Sequence, residues 1–217
     1  MKVAVIAGTP VDTQMGIDFL RRKDPSLEMI YCPLANNPRE CHLFQISDDS
    51  RKTEQISNIY RRALDDGAEC FFIYCNSLSS SVDFLSISEH FNTVTVTPMN
   101  AYEVIAENYD TIGVLAANNQ STKGIEDRFN AANPQGFVIG VGDLKLTEAV
   151  EHSMPPSQIA EKYHLEDICR FFEAGECEAI VLGCTHFPWF KNEISALTDL
   201  PVIDPADIMY DQMMNSV

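Results

Sequence analysis

Basic residues are scarce in this sequence. Its 217 residues include 15 Lys and Arg against 32 Asp and Glu, which gives a formal net charge of −17. Such a charge argues against nucleic acid and anionic membrane surfaces as partners, because both repel an acidic protein. A small anionic substrate would need local hydrogen-bond donors, most simply the backbone N–H groups at helix N-termini.

Long apolar runs and metal-binding patterns are also absent from the sequence. No apolar stretch approaches the roughly 18 residues of a membrane helix, and Met1–Gly8 predicts a strand that enters a turn, not a signal peptide. The seven cysteines include no CxxC pair, which argues against zinc and favours reduced thiols. No glycine-rich phosphate loop occurs. We therefore expect a cytoplasmic protein that needs neither metal nor cofactor.

Short apolar runs alternate with helical periodicity along the chain. The apolar runs, which are typical of buried parallel strands, are Lys2–Ala7, Glu28–Tyr31, Cys70–Tyr74, Thr93–Val96, Thr111–Ala116, Phe137–Val141, Ala179–Leu182 and Val202–Ile203. Helices are predicted over residues 12–22, 52–66, 82–90, 102–107, 121–133, 155–172, 188–197 and from 205 onward. Asp12 or Thr13 is the predicted N-cap of the first helix, and Cys32–Glu40 is a predicted loop. The alternation predicts an α/β fold with right-handed βαβ units and parallel sheets.

A repeat relates the two halves of the chain. After a shift of 109 residues, Val5–Ala7 aligns with Val114–Ala116, and Cys75 aligns with Cys184. Similarity at a fixed spacing indicates repeated structural units. We predict two similar lobes, each a parallel sheet flanked by helices, with the active site between them. The first lobe is residues 1–97, joined by the C-terminal helix 205–217, and the second is residues 98–204.

Each half carries one cysteine at the end of a predicted strand, Cys75 in the first and Cys184 in the second. Residues just past the carboxyl ends of parallel strands face the crevice where α/β proteins bind ligands. A buried cysteine is often only a small hydrophobe, so neither thiol alone indicates a function. Two thiols on repeated strands suit a reaction in which one group removes a proton from a stereocentre and the other returns a proton to the opposite face.

The two cysteine motifs resemble those of a known family. Leu182–Pro188 (LGCTHFP) resembles the second catalytic motif of glutamate racemases, and Cys75–Ser77 is similar to their first motif, usually Cys-Asn-Thr. The resemblance to the aspartate/glutamate racemase superfamily covers essentially the whole chain. It implies racemisation by two cysteines without pyridoxal phosphate or another cofactor. It also implies that Cys75 acts on the D-isomer and Cys184 on the L-isomer.

The resemblance extends to the residues beside the two thiols. It implies two further catalytic residues, His186 and Asp12. It implies contacts to the carboxylate and ammonium groups of the amino acid from Asn76, Ser77 and Thr185, and Thr13 and Asn118 are further expected substrate-binding residues. No metal ligand is implied.

Three loops depart from the pattern of glutamate racemases. That family has Asp-Ser directly after the first strand, whereas Gly8–Val11 precedes Asp12 here. Asn36–Arg39 replaces a Pro-Tyr-Gly stretch, and Ala117–Gln120 replaces a threonine-bearing loop that holds the distal group of the substrate. His186 favours glutamate, because aspartate racemases usually have Glu at this place. The expected partner is an acidic amino acid, glutamate or aspartate, and assembly as a homodimer is open.

Other functions stay open on the sequence alone. They include another isomerase or decarboxylase of the same superfamily and a non-catalytic, two-lobed small-molecule binding protein. A third is a hydrolase or transferase with Cys184 as nucleophile and His186 as its base. That reading leaves Cys75 unexplained, and residues two apart on a tight loop need not face each other.

Overall fold

The computed structural model describes residues 1–216. The chain packs as two compact units, one comprising Met1–Pro98 with the segment that begins at Ala206, the other comprising Met99–Pro205. The predicted helical segment 205–217 includes Val217, which lies outside the described residues. Within the part of the chain that the structure describes, no helix combines the length and apolar character that a membrane span requires.

The first unit is built on a four-stranded parallel sheet. Its strands are β1 (Lys2–Ala7), β2 (Glu28–Pro33), β3 (Cys70–Ile73) and β4 (Val94–Val96), in the order β2-β1-β3-β4. The central strands β1 and β3 are apolar and almost wholly buried, as expected where helices cover both faces of a sheet. Because these strands are parallel, the segments that follow β1 and β3 leave from the same edge.

Five helices of the first unit lie between its strands: α1 (Pro10–Lys23), α2 (Pro38–Gln45), α3 (Asp49–Asp65), α4 (Asn76–Ser81) and α5 (Phe84–Phe91). Helix α3 shows how they pack. Ile56 and Tyr60 are fully buried, and the Tyr60 ring stacks on Phe71 with ring centroids 3.8 Å apart. Its hydroxyl shares a hydrogen bond of 2.9 Å with Thr95 Oγ1. Burial of an isoleucine side chain contributes about 1.5–3 kcal/mol.

The start of α1 corrects the predicted N-cap. The cap is Thr9, whose Oγ1 accepts the Asp12 N–H at 3.1 Å, so neither Asp12 nor Thr13 is the N-cap. Pro10 explains the difference, because proline is favoured at the first helical position, where its missing N–H costs nothing. The same signal starts α2, where Asn37 is the cap and Pro38 follows. The predicted loop Cys32–Glu40 therefore ends earlier than its composition suggested.

The second unit repeats the sheet of the first. Its strands are β5 (Thr111–Ala116), β6 (Phe137–Gly142), β7 (Ala179–Gly183) and β8 (Val202–Ile203), all parallel, in the order β6-β5-β7-β8. The starts of β1 and β5, of β2 and β6, and of β3 and β7 are each 109 residues apart. The predicted α/β fold with two similar parallel sheets flanked by helices is confirmed.

The helices of the second unit are α6 (Pro98–Ala106), α7 (Asn119–Ala132), α8 (Leu144–Glu151), α9 (Pro156–Lys162), α10 (Leu165–Ala174) and α11 (Lys191–Leu197). The single helix predicted over residues 155–172 is wrong. It is two helices, separated at His164, whose φ of 51° is left-handed and ends helical continuation. The helix predicted from residue 188 begins with a 3₁₀ turn, Phe187–Phe190.

The last helix, α12 (Pro205–Ser216), packs with the first unit. Met209 and Met213 are fully buried. On the surface, Lys23 Nζ lies 2.6 Å from Asp207 Oδ1 and 5.7 Å from the centre of the Tyr210 ring. Exposed ion pairs of this kind contribute about 0–1 kcal/mol, so the buried methionines account for most of the attachment.

Candidate active site

Three side chains of the first unit converge on the backbone of Gly8, which directly follows β1. A Cβ placed on Gly8 would lie 2.8 Å from Cys41 Sγ, 3.5 Å from Cys75 Sγ and 3.6 Å from Asp12 Oδ2. A side chain at this position would collide with the Cys41 sulfur, so the absence of a Cβ lets the backbone approach it closely. All three residues are buried.

Cys75 is surrounded by hydrogen-bond donors. Its Sγ lies 3.5 Å from Ser77 Oγ, and the Cys41 thiol lies nearby, against the same Gly8 backbone. The hydrogen bond from Cys41 is the main reason that the pKa of Cys75 is lowered, against the opposing effects of burial and of the Asp12 charge. The arrangement therefore favours a thiolate at Cys75, which is the form that accepts a proton.

Asp12 opposes this effect. It is buried in the first turn of α1, and its Oδ2 accepts the Gly8 N–H at 3.2 Å. Its negative charge raises the pKa of Cys75, because like charges disfavour one another at close range.

Replacing Asp12 with asparagine should lower the pKa of Cys75, because the repelling charge is lost while Asn Oδ1 can still accept the Gly8 N–H. The measurement is the pH dependence of thiolate absorbance at 240 nm and of Cys75 alkylation. Asp18→Asn, on the exposed face of the same helix, is the matched control and should leave the midpoint unchanged. A midpoint for Asp12→Asn equal to or above that of the wild type would contradict this account.

Gln45, at the end of α2, connects the thiols of the first unit. Its Nε2 lies 3.0 Å from Cys41 Sγ and 2.7 Å from Ser77 Oγ. We call Cys41, Gln45, Cys75 and Ser77 the first thiol cluster. Sequence reasoning found Cys75 and Ser77 but missed the two residues of α2. Their spacing of four on one helix places them on the same face and is the signal that could have found them.

Cys184 lies at the end of β7, buried, in a second arrangement of polar side chains. Its Sγ lies 3.6 Å from Thr147 Oγ1 and 3.7 Å from His186 Nδ1. His186 Nε2 in turn lies 2.7 Å from Glu151 Oε1. The imidazole is therefore held between a thiol and a carboxylate, an arrangement that orients a base and stabilises its protonated form.

This second thiol cluster (Thr147, Glu151, Cys184, His186) bears on the nucleophile hypothesis. Residues two apart on a tight loop need not face each other, but Cys184 and His186 do, because the loop after β7 brings Sγ and Nδ1 within hydrogen-bond reach. Sequence reasoning missed Thr147 and Glu151, which lie on α8, a helix that it left out.

The two clusters share one layout with different chemistry. Helices α2 and α8 begin after N-caps 106 residues apart, Asn37 and Asp143. On these helices, residues 106 apart match: Cys41 with Thr147, and Gln45 with Glu151. In the loops after the strands, residues 109 apart match: Cys75 with Cys184, and Ser77 with His186. Each thiol thus lies near a side chain of the helix that follows the second strand of its sheet. In the second cluster an imidazole and a carboxylate replace a hydroxyl and an amide.

The other predicted site residues lie at the ends of strands and the starts of helices. Asn76 is the first residue of α4 and is buried. Thr185, which follows Cys184, is also buried. Thr13 Oγ1 donates to the Thr9 carbonyl at 2.7 Å, so part of its hydrogen-bonding capacity is used within α1. Asn118 caps α7, where its Oδ1 accepts the Ser121 N–H at 2.8 Å. Asn118 is therefore the counterpart of Thr9 in the repeat.

No group of three or more His, Cys, Asp or Glu side chains among residues 1–216 is arranged to hold a metal ion. The chemistry of both clusters is that of proton donors and acceptors.

Comparison with known proteins gives one consistent family. A model of the family described as Asp/Glu/Hydantoin racemase matches residues 21–213. The glutamate racemase of Limosilactobacillus reuteri is 27% identical over 165 residues, which are 72% of this chain. The chain covers 61% of the length of that relative.

Solved structures of low sequence identity share the fold. A glutamate racemase from Francisella tularensis, in complex with D-glutamate, matches with a TM-score of 0.78 and 18% identity over 99% of this chain and 81% of its own. An aspartate racemase homologue from Pyrococcus horikoshii matches with a TM-score of 0.68 and 15% identity, over 99% of this chain and 98% of its own.

Proposed function

Because the chain belongs to the Asp/Glu/Hydantoin racemase family, we propose that it inverts the Cα of an acidic amino acid, with Cys75 and Cys184 as the two acid–base groups. The observation that carries this proposal is the duplicated cluster. Each thiol follows an equivalent strand and lies near a polar side chain of an equivalent helix: Cys41 and Cys75 approach the same Gly8 backbone, and Thr147 Oγ1 lies 3.6 Å from Cys184 Sγ. A reaction that needs one proton acceptor and one proton donor accounts for both clusters, whereas a single nucleophile accounts for one.

The proposed reaction balances without an added reagent. One cysteine thiolate takes the Cα proton and becomes a thiol, and the electron pair left on Cα delocalises into the substrate carboxylate. The other cysteine, as a thiol, donates its proton to the opposite face and becomes a thiolate. The product has the inverted configuration, and proton exchange with solvent returns the cysteines to their starting forms. In the reverse direction the two roles exchange.

The neighbouring side chains support the two thiols in different ways. We propose that His186 accepts the Cys184 proton, with Glu151 orienting the ring through the 2.7 Å contact and stabilising its charged form. For Cys75, donors stabilise the thiolate directly. Asn76, Ser77 and Thr185, with Thr13 and Asn118, are the proposed contacts to the polar groups of the amino acid. Such local donors offset the unfavourable field of a chain with a net charge of −17.

Glutamate is the first proposed substrate and aspartate the second. His186 stands where the resemblance favours glutamate, and the curated relatives above are glutamate racemases. The aspartate racemase homologue is matched over almost its full length, 98% against 81% for the glutamate racemase structure. Aspartate is the alternative because this neighbour is described as an aspartate racemase homologue.

A second candidate function has a specific observation in its favour. The Cys184–His186–Glu151 arrangement has the connectivity of a nucleophile, a base and an orienting carboxylate. A hydrolase that forms a covalent intermediate at Cys184 would use the second cluster alone. It would leave the lowered pKa of Cys75 without a role.

The test is stereochemical. Purified protein, dialysed exhaustively against a chelator, is incubated in heavy water with L- and D-glutamate, L- and D-aspartate and a panel of other amino acids and hydantoins. We expect optical inversion with deuterium uptake at Cα for glutamate, or else for aspartate. The double variant Cys75→Ser/Cys184→Ser controls for contaminating racemases. Inversion that requires pyridoxal phosphate or a divalent ion, or the absence of inversion and exchange for every compound, would contradict the proposal.

A further inference from the structure

Two hydrogen bonds join the end of helix α8 to the turn that follows Cys184. In the first, Glu151 Oε1 and His186 Nε2 lie 2.7 Å apart. In the second, the indole N–H of Trp189 donates to the main-chain carbonyl of Met154 at 2.9 Å. On each side the two contacting residues are three positions apart. The first bond belongs to the second thiol cluster, and the second bond lies outside it.

The turn after Cys184 presents His186 and Trp189 on one side. The Trp189 backbone N–H donates to the His186 carbonyl at 3.2 Å, and side chains three positions apart in a 3₁₀ turn lie above one another. The other pair with this spacing, Phe187 and Phe190, is fully buried, with ring centroids 5.0 Å apart. Because the two phenylalanines anchor the turn in the core, the imidazole and the indole face α8 together.

The end of α8 is held in a conformation that needs support. Glu151 is the last residue of the helix, and two residues later Ser153 has a left-handed φ of 54°. The Ser153 N–H donates to the Val150 carbonyl at 2.8 Å. The Met154 N–H donates to the Ala149 carbonyl at 3.0 Å, which completes the Schellman arrangement. A left-handed residue other than glycine costs free energy, so surrounding contacts must hold it. The indole N–H supplies such a contact just past this turn.

We propose that Trp189 is a positioning residue for the second thiol cluster: by holding the carbonyl that follows α8, it keeps Glu151 against His186. Its value for catalysis rests on the proposed function, whereas its effect on the contact between Glu151 and His186 does not. Trp189 acts through these two side chains and transfers no proton itself. Since the His186 ring lies between Glu151 and Cys184, a displaced carboxylate leaves the imidazole less firmly oriented toward the thiol.

The two bonds differ in burial, and this difference separates positioning from stability. Trp189 is 44% exposed, whereas His186 is 3% exposed. Water can replace a hydrogen bond at the surface, so the loss of that bond changes the free energy of unfolding little. The buried contact has no such substitute, and its strength depends on the geometry of carboxylate and ring. Losing the Trp189 N–H should therefore disturb the buried pair while the chain stays folded.

The experiment removes the indole N–H in two ways. Trp189→Phe keeps an aromatic ring. Because the chain has a single tryptophan, replacing tryptophan by its benzothienyl analogue puts sulfur in place of this one N–H. We expect both proteins to unfold in urea near the wild-type midpoint and to lose about fivefold in kcat, as for one neutral hydrogen bond, with KM unchanged. Phe171→Leu, which alters another exposed aromatic residue of the same unit, is the control and should match the wild type.

A double-mutant cycle tests whether Trp189 acts through the buried pair. Glu151→Leu removes the carboxylate that His186 contacts and retains a side chain of similar size. If Trp189 works by positioning Glu151, Trp189→Phe should cost no more than about twofold in the Glu151→Leu background. The same loss in both backgrounds would overturn the proposal, because the effect would then be independent of the carboxylate.

A second readout needs no racemisation. Two-bond proton–nitrogen NMR spectra of protein labelled with ¹⁵N-histidine give the chemical shifts of the imidazole nitrogens, and His186 is assigned by comparison with His186→Asn. We expect the Nε2 shift in both Trp189 proteins to move from the wild-type value toward that of Glu151→Leu, because a weaker contact with the carboxylate changes the hydrogen bonding of this atom. Wild-type shifts in both proteins would overturn the proposal.

The two readouts separate the role of Trp189 from the proposed function. A displaced His186 signal in a protein that inverts no amino acid would refute racemisation and retain the positioning role. Inversion at the wild-type kcat in both Trp189 proteins would refute the positioning role and retain racemisation. If one Trp189 protein does not fold, circular dichroism shows it, and the other protein carries both measurements.

Discussion

Replacing either Cys75 or Cys184 with serine is expected to lower kcat/KM for racemisation by about 10²–10⁴-fold. A serine hydroxyl is a far weaker acid than a thiol, so it cannot supply a comparable base or acid at neutral pH. Inversion needs both proton transfers, and either substitution therefore blocks the reaction in both directions. Because the equilibrium constant between two enantiomers in solution is one, kcat/KM must fall equally for the L- and D-isomers.

The two serine variants should nevertheless differ in exchange at Cα. Cys75→Ser keeps the thiol assigned to the L-isomer, so it should still incorporate deuterium into the L-isomer without inversion, and Cys184→Ser should do so with the D-isomer. Proton nuclear magnetic resonance of the Cα signal measures both. Cys177→Ser, a buried cysteine of the second unit outside both clusters, is the matched control. Racemisation near the wild-type rate in either variant would refute the two-base mechanism.

The same pair of variants separates the racemase from the nucleophile hypothesis. A hydrolase built on Cys184 would lose all activity with Cys184→Ser and keep most of it with Cys75→Ser. A covalent intermediate on Cys184 would also add the mass of the substrate acyl group to one peptide during turnover. Equal losses in the two variants, with no mass added to the protein, are the outcome that favours racemisation.

Replacing His186 with asparagine is expected to lower kcat/KM by about 10²-fold or more, because the imidazole beside Cys184 is the group placed to exchange its proton. Glu151→Gln should cost less, about tenfold. The amide can still hydrogen-bond to the ring, but a neutral hydrogen bond is weaker than a charge-assisted one by about 1.5 kcal/mol. The His186 variant should lose more activity than the Glu151 variant, because His186 contacts the Cys184 thiol and Glu151 contacts only the imidazole ring.

Stability must be measured beside activity for these variants. His186 and Glu151 have side chains that are 4% and 12% exposed, and removing one partner of a buried pair destabilises a protein by about 3–5 kcal/mol when the other stays charged. Urea unfolding gives the fraction folded under assay conditions. His90→Asn, on the exposed end of α5, is the matched control for both readouts. A His186→Asn variant that is folded and retains more than a tenth of the wild-type kcat/KM would contradict the assigned role.

The strands can be predicted from the sequence because each depends on a short run of neighbouring apolar residues. The repeat can be predicted because these runs recur at a fixed spacing. Buried parallel strands are short apolar runs, and the residues that follow them leave from one edge of the sheet. Cys75 and Cys184 were therefore placed at strand ends without knowledge of the fold. The start of the first helix is harder to predict. The Thr9-Pro10 start competes with the residues that follow, because Asp12 and Thr13 are also good caps.

The tertiary structure decided which side chains surround each thiol. Cys41 is 34 residues from Cys75 and Thr147 is 37 residues from Cys184, so each pair meets only when a helix packs against the ends of two strands. The spacing of four places Cys41 with Gln45, and Thr147 with Glu151, on one helix face, but it does not show that this face is turned to a thiol. Their contacts with the thiols depend on the direction in which α2 and α8 leave their sheets, and that direction is set by packing rather than by local sequence.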